Sequence, residues 1–266
     1  MRDLNRISIG QHYPMDSPVH SLDARAKIVC ALALIIGAFV ADSAAGVLLL
    51  FLFALLVIYA AKLPPLQVLS ALRTVLVLLL ITALAQFLFS PGRVLWEWGP
   101  FTITNTGVQN GILYSLRLAM AVIVMCVLAM TTNPVELLVG LEGLMSPLRL
   151  LRFPVQETAM ILTTALRFLP AMLSRSGEIA RVQEARGADF SGGRLLRRAR
   201  SLLPLFVPLF GVCFRDAEEL GTALASRGYR GGKGRTRYRA ARFGAADLLA
   251  LVVVAAAIAL AVWLPV

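Results

Sequence analysis

Long apolar runs constrain the fold of this chain more than any other feature. Four of them fall within the first 132 residues and one lies at the C-terminal end. The runs cover residues 28–41, 44–61, 72–89, 111–130 and 245–264. A helix needs about 20 predominantly apolar residues to cross a bilayer. We therefore predict an all-α integral membrane protein with about five transmembrane helices, and the overall composition agrees, with 58% hydrophobic and 15% charged residues.

The first run is the least certain of the five because it has only 14 residues. A signal peptide with a cleavage site near residues 41–44 is therefore an alternative interpretation. The 27 preceding residues are long and mixed in charge for such a peptide. Leu22 and Ala26 can extend the helix at its start, so we favour a span.

Basic residues are unevenly distributed and indicate the orientation. Of the 26 Lys and Arg residues, 18 lie within 133–244, where only 9 residues are acidic. Cytoplasmic loops carry an excess of Lys and Arg, and such a surface also attracts anionic membrane lipid. We predict that the N-terminus and residues 133–244 are cytoplasmic and that the C-terminus is outside. No recognition motif accompanies the charge, so a nucleic acid is not an expected partner.

The basic segment has helical periodicity. Apolar positions from Val155 to Leu173 follow the 3-4 alternation of an amphipathic helix, in which Pro170 should cause a kink. A second helix is expected before Gly228. Its apolar part, 202–214, is interrupted by prolines and a glycine, and we expect it to pack under the spans or dip against the membrane. A sixth span is the alternative.

The domain organisation follows from these patterns. Residues 1–132 hold an N-terminal tail and transmembrane helices 1–4. Residues 133–244 form a cytoplasmic domain of long amphipathic helices, and residues 245–266 form the last transmembrane helix.

Motifs of the common enzyme classes are missing from the sequence. Residues 231–234 come nearest to a phosphate-binding loop but lack its first glycine spacing and its Ser or Thr after the lysine. Cys30, Cys126 and Cys213 lie far apart in apolar runs, and no acidic or histidine cluster has metal-ligand spacing. We therefore expect no catalytic residue, no metal site and no cofactor. Acidic residues are also missing inside the spans, which disfavours an ion-coupled carrier.

Charged residues near or within the spans need separate explanations. Arg117 lies inside the fourth apolar run, where an arginine indicates a functional role, a snorkelling side chain or a helix-pairing contact. Asp23, Arg25 and Lys27 precede the first run. We predict that these three residues anchor the start of the first span at the membrane interface.

Two similar tripeptides end the predicted cytoplasmic helices. They are Ala185-Arg186-Gly187 and Ser226-Arg227-Gly228, 41 positions apart. Glycine just past a helix accepts the left-handed conformation that closes the last turn, so both tripeptides fit simple helix caps. Alternatively, each arginine projects from a blunt helix end and docks into an acidic groove of a two-lobed partner. An aromatic residue follows each glycine, Phe190 and Tyr229, and could pack beside a docked end.

These tripeptides and the N-terminal stretch resemble a known family. Residues 9–13 (IGQHY) and 16–27 (DSPVHSLDARAK) are similar to the opening signature of the transmembrane T-components of energy-coupling factor vitamin transporters. The family usually has proline after the aspartate at position 23, where this chain has Ala24. The two tripeptides match the family's paired coupling motifs. The resemblance covers essentially the whole chain.

The resemblance implies a function. T-components are all-helical membrane proteins that bind two ABC-type ATPase subunits, of the EcfA and EcfA′ type, and a substrate-binding S-component. It implies that Arg186 and Arg227 insert into the ATPase grooves and that residues 133–244 transmit ATP-driven motion to the S-component for uptake of vitamins or other micronutrients. The chain would be a non-catalytic subunit in a prokaryotic plasma membrane. The opening stretch resembles the shared form of the family more than the forms dedicated to cobalt or biotin.

Two other classes stay open at this point. One is a membrane scaffold that binds lipid or a peripheral enzyme through its basic cytoplasmic surface. The other is a membrane-embedded enzyme, which the missing catalytic motifs disfavour.

Overall fold

The described residues fold mainly into α-helices. The computed structural model describes residues 15, 17–91, 94–98, 101–147, 154–188, 202–231 and 243–264. The helices within these ranges are α1 Ala24–Val40, α2 Ala44–Ala60, α3 Pro65–Phe89, α4 Asn105–Thr131, α5 Pro134–Leu144, α6 Val155–Ala185, α7 Leu203–Ser226 and α8 Ala245–Trp263. The helical fold class is confirmed. The aromatic residues Trp96 and Trp98 predict a loop at the membrane interface after the third apolar run. The structure has instead an antiparallel hairpin there, formed by β1 Val94–Trp98 and β2 Phe101–Thr104.

Helix length separates the apolar helices into two groups. Among the described residues, α3, α4 and α8 are long and apolar enough to cross a membrane. The apolar α2 has 17 residues, as does α1, which corresponds to about 26 Å of helix against a hydrocarbon core of about 30 Å. The alternative of a sixth span at 202–214 is not among these candidates, because residues 203–214 continue in α7 into the charged sequence that begins at Arg215.

The chain divides into two compact units. One contains residues 10–144 and 239–266, and the other contains residues 145–238. The division predicted at 133 and 245 separates membrane from cytoplasmic segments and stays a prediction. Helix α5 belongs to the first unit because it packs against α1. In particular, a Cβ at Gly140 would lie 2.9 Å from the Cβ of Ala24, so the two helices approach closely at this glycine.

The core of the first unit lies where α1, α2, α4 and α8 meet. Its fully buried large side chains include Leu50 of α2 and Met120 and Ile123 of α4. Small residues allow the helices to approach closely, as is common in membrane proteins. At Gly46, for example, a Cβ would overlap the carbonyl oxygen of Ala261. This contact joins the start of α2 to the end of α8.

Arg117 has a structural role within this unit. Its side chain is only 7% exposed, and Nη2 donates a 2.6 Å hydrogen bond to the carbonyl of Ala41. Ala41 is the C-cap of α1, where carbonyl groups lack helical partners and a cation is favoured. The guanidinium also lies 5.2 Å from the ring centroid of Tyr114. Of the predicted roles, the structure supports helix pairing.

The second unit is built from α6 and α7, which pack against each other. Helix α6 runs for 31 residues and continues through Pro170. Helix α7 has Pro204 in its first turn, where proline removes no helical hydrogen bond, and continues through Pro208. The sequence Ser191-Gly192-Gly193, which predicts a turn, and the basic stretch that follows it lie outside the described residues.

Candidate functional site: two arginine-glycine helix ends

Helix α6 ends in a complete Schellman motif. Arg186 is the C-cap, with φ −87° and ψ 5°, and Gly187 adopts a φ of +92°. The amide of Gly187 donates to the carbonyl of Glu184 at 2.9 Å, and the amide of Ala188 donates to the carbonyl of Gln183 at 2.9 Å. These two bonds satisfy carbonyl groups that the end of a helix otherwise leaves without partners.

Helix α7 ends in the same way. Arg227 is the C-cap, with φ −86° and ψ 7°, and Gly228 has a φ of +73°. The amide of Gly228 donates to Ala225 and that of Tyr229 donates to Leu224, both at 3.0 Å. The two tripeptides therefore form one backbone structure twice, with the arginine at the same cap position in each.

The glycines are required by backbone conformation rather than by space. A Cβ built on Gly187 or Gly228 would meet no described atom within 4 Å. Positive φ, by contrast, costs an ordinary L-residue roughly 1–2 kcal/mol. Both glycines are therefore explained by their left-handed backbone conformation.

Both cap arginines are exposed and have no side-chain partner among the described residues. Arg186 and Arg227 are exposed, and neither side chain makes an ion pair or hydrogen bond with any residue in the described ranges. Their neighbours Ala185 and Ser226 are the last helical residues and are exposed as well. Each guanidinium therefore keeps its donors available for another molecule.

The two helices contact each other in register. The sulfur atoms of Met172 and Cys213 lie 3.2 Å apart, and Arg175 forms an ion pair with Asp216 at 2.5 Å. Each pair is separated by 41 residues, as are the two cap arginines. From the first contact to the second, the position moves three residues towards the C-terminus on both helices. Helices α6 and α7 are therefore parallel where they touch.

This register places the two arginines at equal helical distances from one contact. Eleven residues separate Arg175 from Arg186, and eleven separate Asp216 from Arg227. At a rise of 1.5 Å per residue, each arm is about 17 Å long. The hydrogen bond to Asp216 raises the pKa of Arg175, so its guanidinium stays charged at any physiological pH.

The predicted anchor residues lie in the other compact unit and have specific partners. Asp23 is the N-cap of α1, and its side chain accepts a hydrogen bond from the amide of Arg25 at 3.0 Å. Its own amide donates at 2.7 Å to Oδ1 of Asp247, which is 4% exposed. Lys27 Nζ donates at 3.0 Å to the carbonyls of His20 and Thr131. These contacts join the start of α1 to the start of α8 and to the end of α4.

Asp247 is the important residue of this cluster that sequence reasoning did not assign. Its Oδ2 accepts from the amide of Gly244 at 2.7 Å, so one carboxylate serves the first turn of α8 and also the N-cap residue of α1. Its place three residues after a helix-starting glycine was the available signal, because an acidic residue there often accepts the cap amide. The contact with Asp23, 224 residues away, has no local signal.

Some predicted features cannot be placed. The signature residues 9–13, Asp16 and Phe190 lie outside the described residues. Tyr229 is described, and it is 37% exposed directly after Gly228.

Comparison with known proteins decides the family. The family model described as CbiQ, cobalt transport protein, matches residues 15–238, which include both helix ends and Asp23 to Lys27. Curated relatives named energy-coupling factor transporter transmembrane protein EcfT are similar over nearly all of the chain. The protein of Acidaminococcus fermentans is 39% identical over 246 residues, 92% of each chain. The chain belongs to the EcfT family of energy-coupling factor transporter transmembrane proteins.

Other EcfT proteins agree with this assignment. The relative from Listeria innocua is 37% identical over 262 residues, covering 98% of this chain and 99% of its own. The relative from Thermanaerovibrio acidaminovorans is 40% identical over 259 residues, covering 96% and 94%. Together with the apolar helices, membership of the EcfT family makes this chain the transmembrane component of a transporter.

Proposed function

We propose that this EcfT protein couples two ABC-type ATPase subunits to a substrate-binding S-component in an ATP-driven importer. The observation that carries the proposal is the pair of matching helix ends. Each presents one exposed arginine without a partner in the described chain, and both lie about 17 Å beyond a shared contact. Two equivalent ends on one chain fit a partner with two equivalent grooves.

The chemistry of docking follows from the caps. An arginine carries five donors in a planar fork and binds carboxylates through two parallel hydrogen bonds. The Schellman motif turns the chain away after Gly187 and Gly228, so each helix ends bluntly with its arginine at the tip. An acidic groove in each ATPase would accept such a tip, with Arg186 in one and Arg227 in the other.

The register between α6 and α7 supplies a means of transmission. Movement of one docked tip turns its helix about the contact at Arg175 and Asp216, and the second helix is held at the same point. Closing of the ATPases would therefore change the spread of the two arms. In this proposal the chain hydrolyses no ATP and needs no cofactor.

A row of apolar side chains on α7 suits the S-component. Leu203, Val207, Phe210 and Phe214 recur at helical spacing and are exposed, and α7 is not among the described helices that are long and apolar enough to cross a membrane. We assign this face to the S-component. The basic segment keeps the N-terminus and both helix ends in the cytoplasm, beside anionic lipid.

Co-purification from detergent tests the docking step. The tagged chain is expressed with candidate ABC-type ATPases from its own genome, with and without Arg186→Glu combined with Arg227→Glu. A matched control combines Arg167→Glu with Arg181→Glu, which makes the same change in charge at exposed positions within α6. We expect the ATPases to bind the native chain and the control and to be lost from the double variant.

Two outcomes contradict the proposal. ATPase retained by the double variant would exclude docking through the arginines. If no ATPase binds the native chain, the scaffold alternative replaces the coupling function.

A further inference from the structure

An apolar cavity lies between α2 and α8 in the unit that contains the spans. Its volume is about 310 Å³, within the range of small-molecule sites. One wall is the second half of α2, from Phe53 to Ala60, and the other is the first half of α8, from Leu249 to Val254. Buried residues of α1 and α4 form the floor. We call this cavity the α2–α8 wedge.

Towards the opposite end, α2 and α8 are in close contact. There, Gly46 at the start of α2 meets the backbone of Ala261 near the end of α8. Gly37 of α1 also approaches Ile258 of α8, with a Cβ position 2.8 Å from that side chain. The tight contacts close one end, and the space between the helices opens towards the end of α2 and the start of α8.

The lining has almost no capacity for a polar ligand. Lys27 and Thr131 contribute charged or hydroxyl groups, and both are already satisfied within the protein. The ammonium of Lys27 donates to the carbonyls of His20 and Thr131, and the hydroxyl of Thr131 donates to the carbonyl of Val127 at 2.7 Å. The remaining lining is apolar apart from the Cys30 thiol, so a hydrocarbon fits the wedge better than water or a polar solute.

Exposed apolar side chains lie at the mouth of the wedge. Leu56 is 61% exposed, Leu249 is 66% exposed and Val253 is 43% exposed, and all three line the cavity. In a helix that spans a bilayer, such side chains face acyl chains, so acyl chains are what can enter. Lys62 is exposed two residues beyond Ala60, where its ammonium can attract an acidic headgroup.

We infer that the α2–α8 wedge binds one acyl chain of an acidic phospholipid, whose headgroup lies near Lys62. The lipid belongs to the leaflet in which α2 ends and α8 begins. It fills the space that the diverging helices leave and so replaces packing between them. This lipid site does not depend on the proposed coupling function, since it requires only that the unit lies in a membrane.

Photochemical labelling of the full-length chain tests the site. The chain is placed in lipid nanodiscs that contain phosphatidylglycerol with a diazirine in one acyl chain, and the labelled residues are mapped by mass spectrometry. The variant Ala60→Phe with Ala250→Phe fills the wedge. The control Ala256→Phe adds the same ring on an exposed face of α8 that does not line it.

We expect labels to concentrate on residues 53–60 and 249–254, to be mostly lost from the filled variant, and to persist in the control. Lys62→Gln should lower the preference for phosphatidylglycerol over phosphatidylcholine by about fivefold. Even labelling of all exposed apolar faces, including α3, would mean annular lipid only and would overturn the site. Equal labelling by both lipids in the native chain would overturn the acidic headgroup. Thermal unfolding of each variant checks that the filled chain is folded.

Discussion

The two compact units use arginine at a helix end in opposite ways. In the unit with the spans, Arg117 is buried and its guanidinium serves the C-terminal carbonyl of a neighbouring helix at Ala41. In the α6–α7 unit, Arg186 and Arg227 occupy the C-cap positions themselves, but backbone amides satisfy the carbonyls there. The guanidinium of Arg117 is therefore used within its own unit, whereas those of Arg186 and Arg227 remain free, within the described part of the chain, to bind another molecule. The backbone motif at each end, rather than the arginine, decides which outcome occurs.

Substitution of the two exposed cap arginines, Arg186 and Arg227, should have a larger effect on transport than any other change. Arg186→Glu together with Arg227→Glu should abolish uptake of the transported substrate, since each reversal places a negative charge in an acidic groove. Loss of one buried charge contact at an interface costs about 2–5 kcal/mol, so each single variant should weaken ATPase binding by more than tenfold, and the double variant should be worse. Substrate uptake by cells and the amount of inserted protein are measured together. Equal loss from one single variant alone would indicate that the two ends are used unequally.

Arg117 should show the opposite pattern. Arg117→Met removes a charged hydrogen bond to Ala41 and should lower stability by about 1.5–3 kcal/mol. The thermal unfolding midpoint in detergent should fall, whereas ATPase co-purification by the folded fraction should be unchanged. Arg117→Lys, which keeps a donor and the charge, serves as the control. Normal stability with lost ATPase binding would show that Arg117 does not have the structural role that distinguishes it from Arg186 and Arg227.

The caps themselves can be tested at Gly187. Gly187→Val forces a β-branched residue into positive φ and should weaken ATPase binding through a displaced helix end, at a cost of roughly 1–2 kcal/mol. Gly187→Asn is the matched variant, because asparagine tolerates this conformation and the site has room for its side chain. Binding curves for the two variants are compared with the native curve. If valine and asparagine behave alike, the cap geometry is irrelevant to docking.

The smallest effect concerns the contact between α6 and α7. The side chains of Arg175 and Asp216 are 42% and 19% exposed, so solvent screens their ion pair and its contribution to stability should be small. Arg175→Asp alone should reduce the substrate imported per ATP hydrolysed, and adding Asp216→Arg should restore part of it. This ratio separates transmission from simple binding. Absence of rescue by the charge swap would show that the pair does not set the register.

The sequence predicted the features that depend on neighbouring residues. Apolar runs located the membrane helices, and Arg-Gly pairs located the ends of α6 and α7, because glycine is the residue that accepts positive φ at low cost. The prolines of 202–214 were overinterpreted as interruptions, since Pro204 lies in the first turn of α7 and Pro208 removes only one further hydrogen bond. The hairpin at 94–104 was missed because its aromatic residues also suit a membrane-interface loop.

Contacts between distant residues could not be predicted. The pairing of Asp23 with Asp247 and the packing of α5 on α1 depend on how helices assemble, which no local pattern records. The in-register contact at Met172 and Cys213 is similar, although the 41-residue repeat of the tripeptides hinted at it. The candidate docking residues could thus be predicted from the sequence. The contact between α6 and α7, from which both arginines are eleven residues away, could not.

The repeated helix end has a consequence for symmetry and stoichiometry. If both helix ends dock as proposed, a single copy of this chain would saturate a partner made of two like halves, and no dimer would be needed. The two ends are not identical, because alanine precedes the arginine in one and serine in the other, and Ala188 and Tyr229 follow the two glycines. Two identical halves of a partner would therefore have different contacts once they are bound to this chain, and each half could acquire its own role.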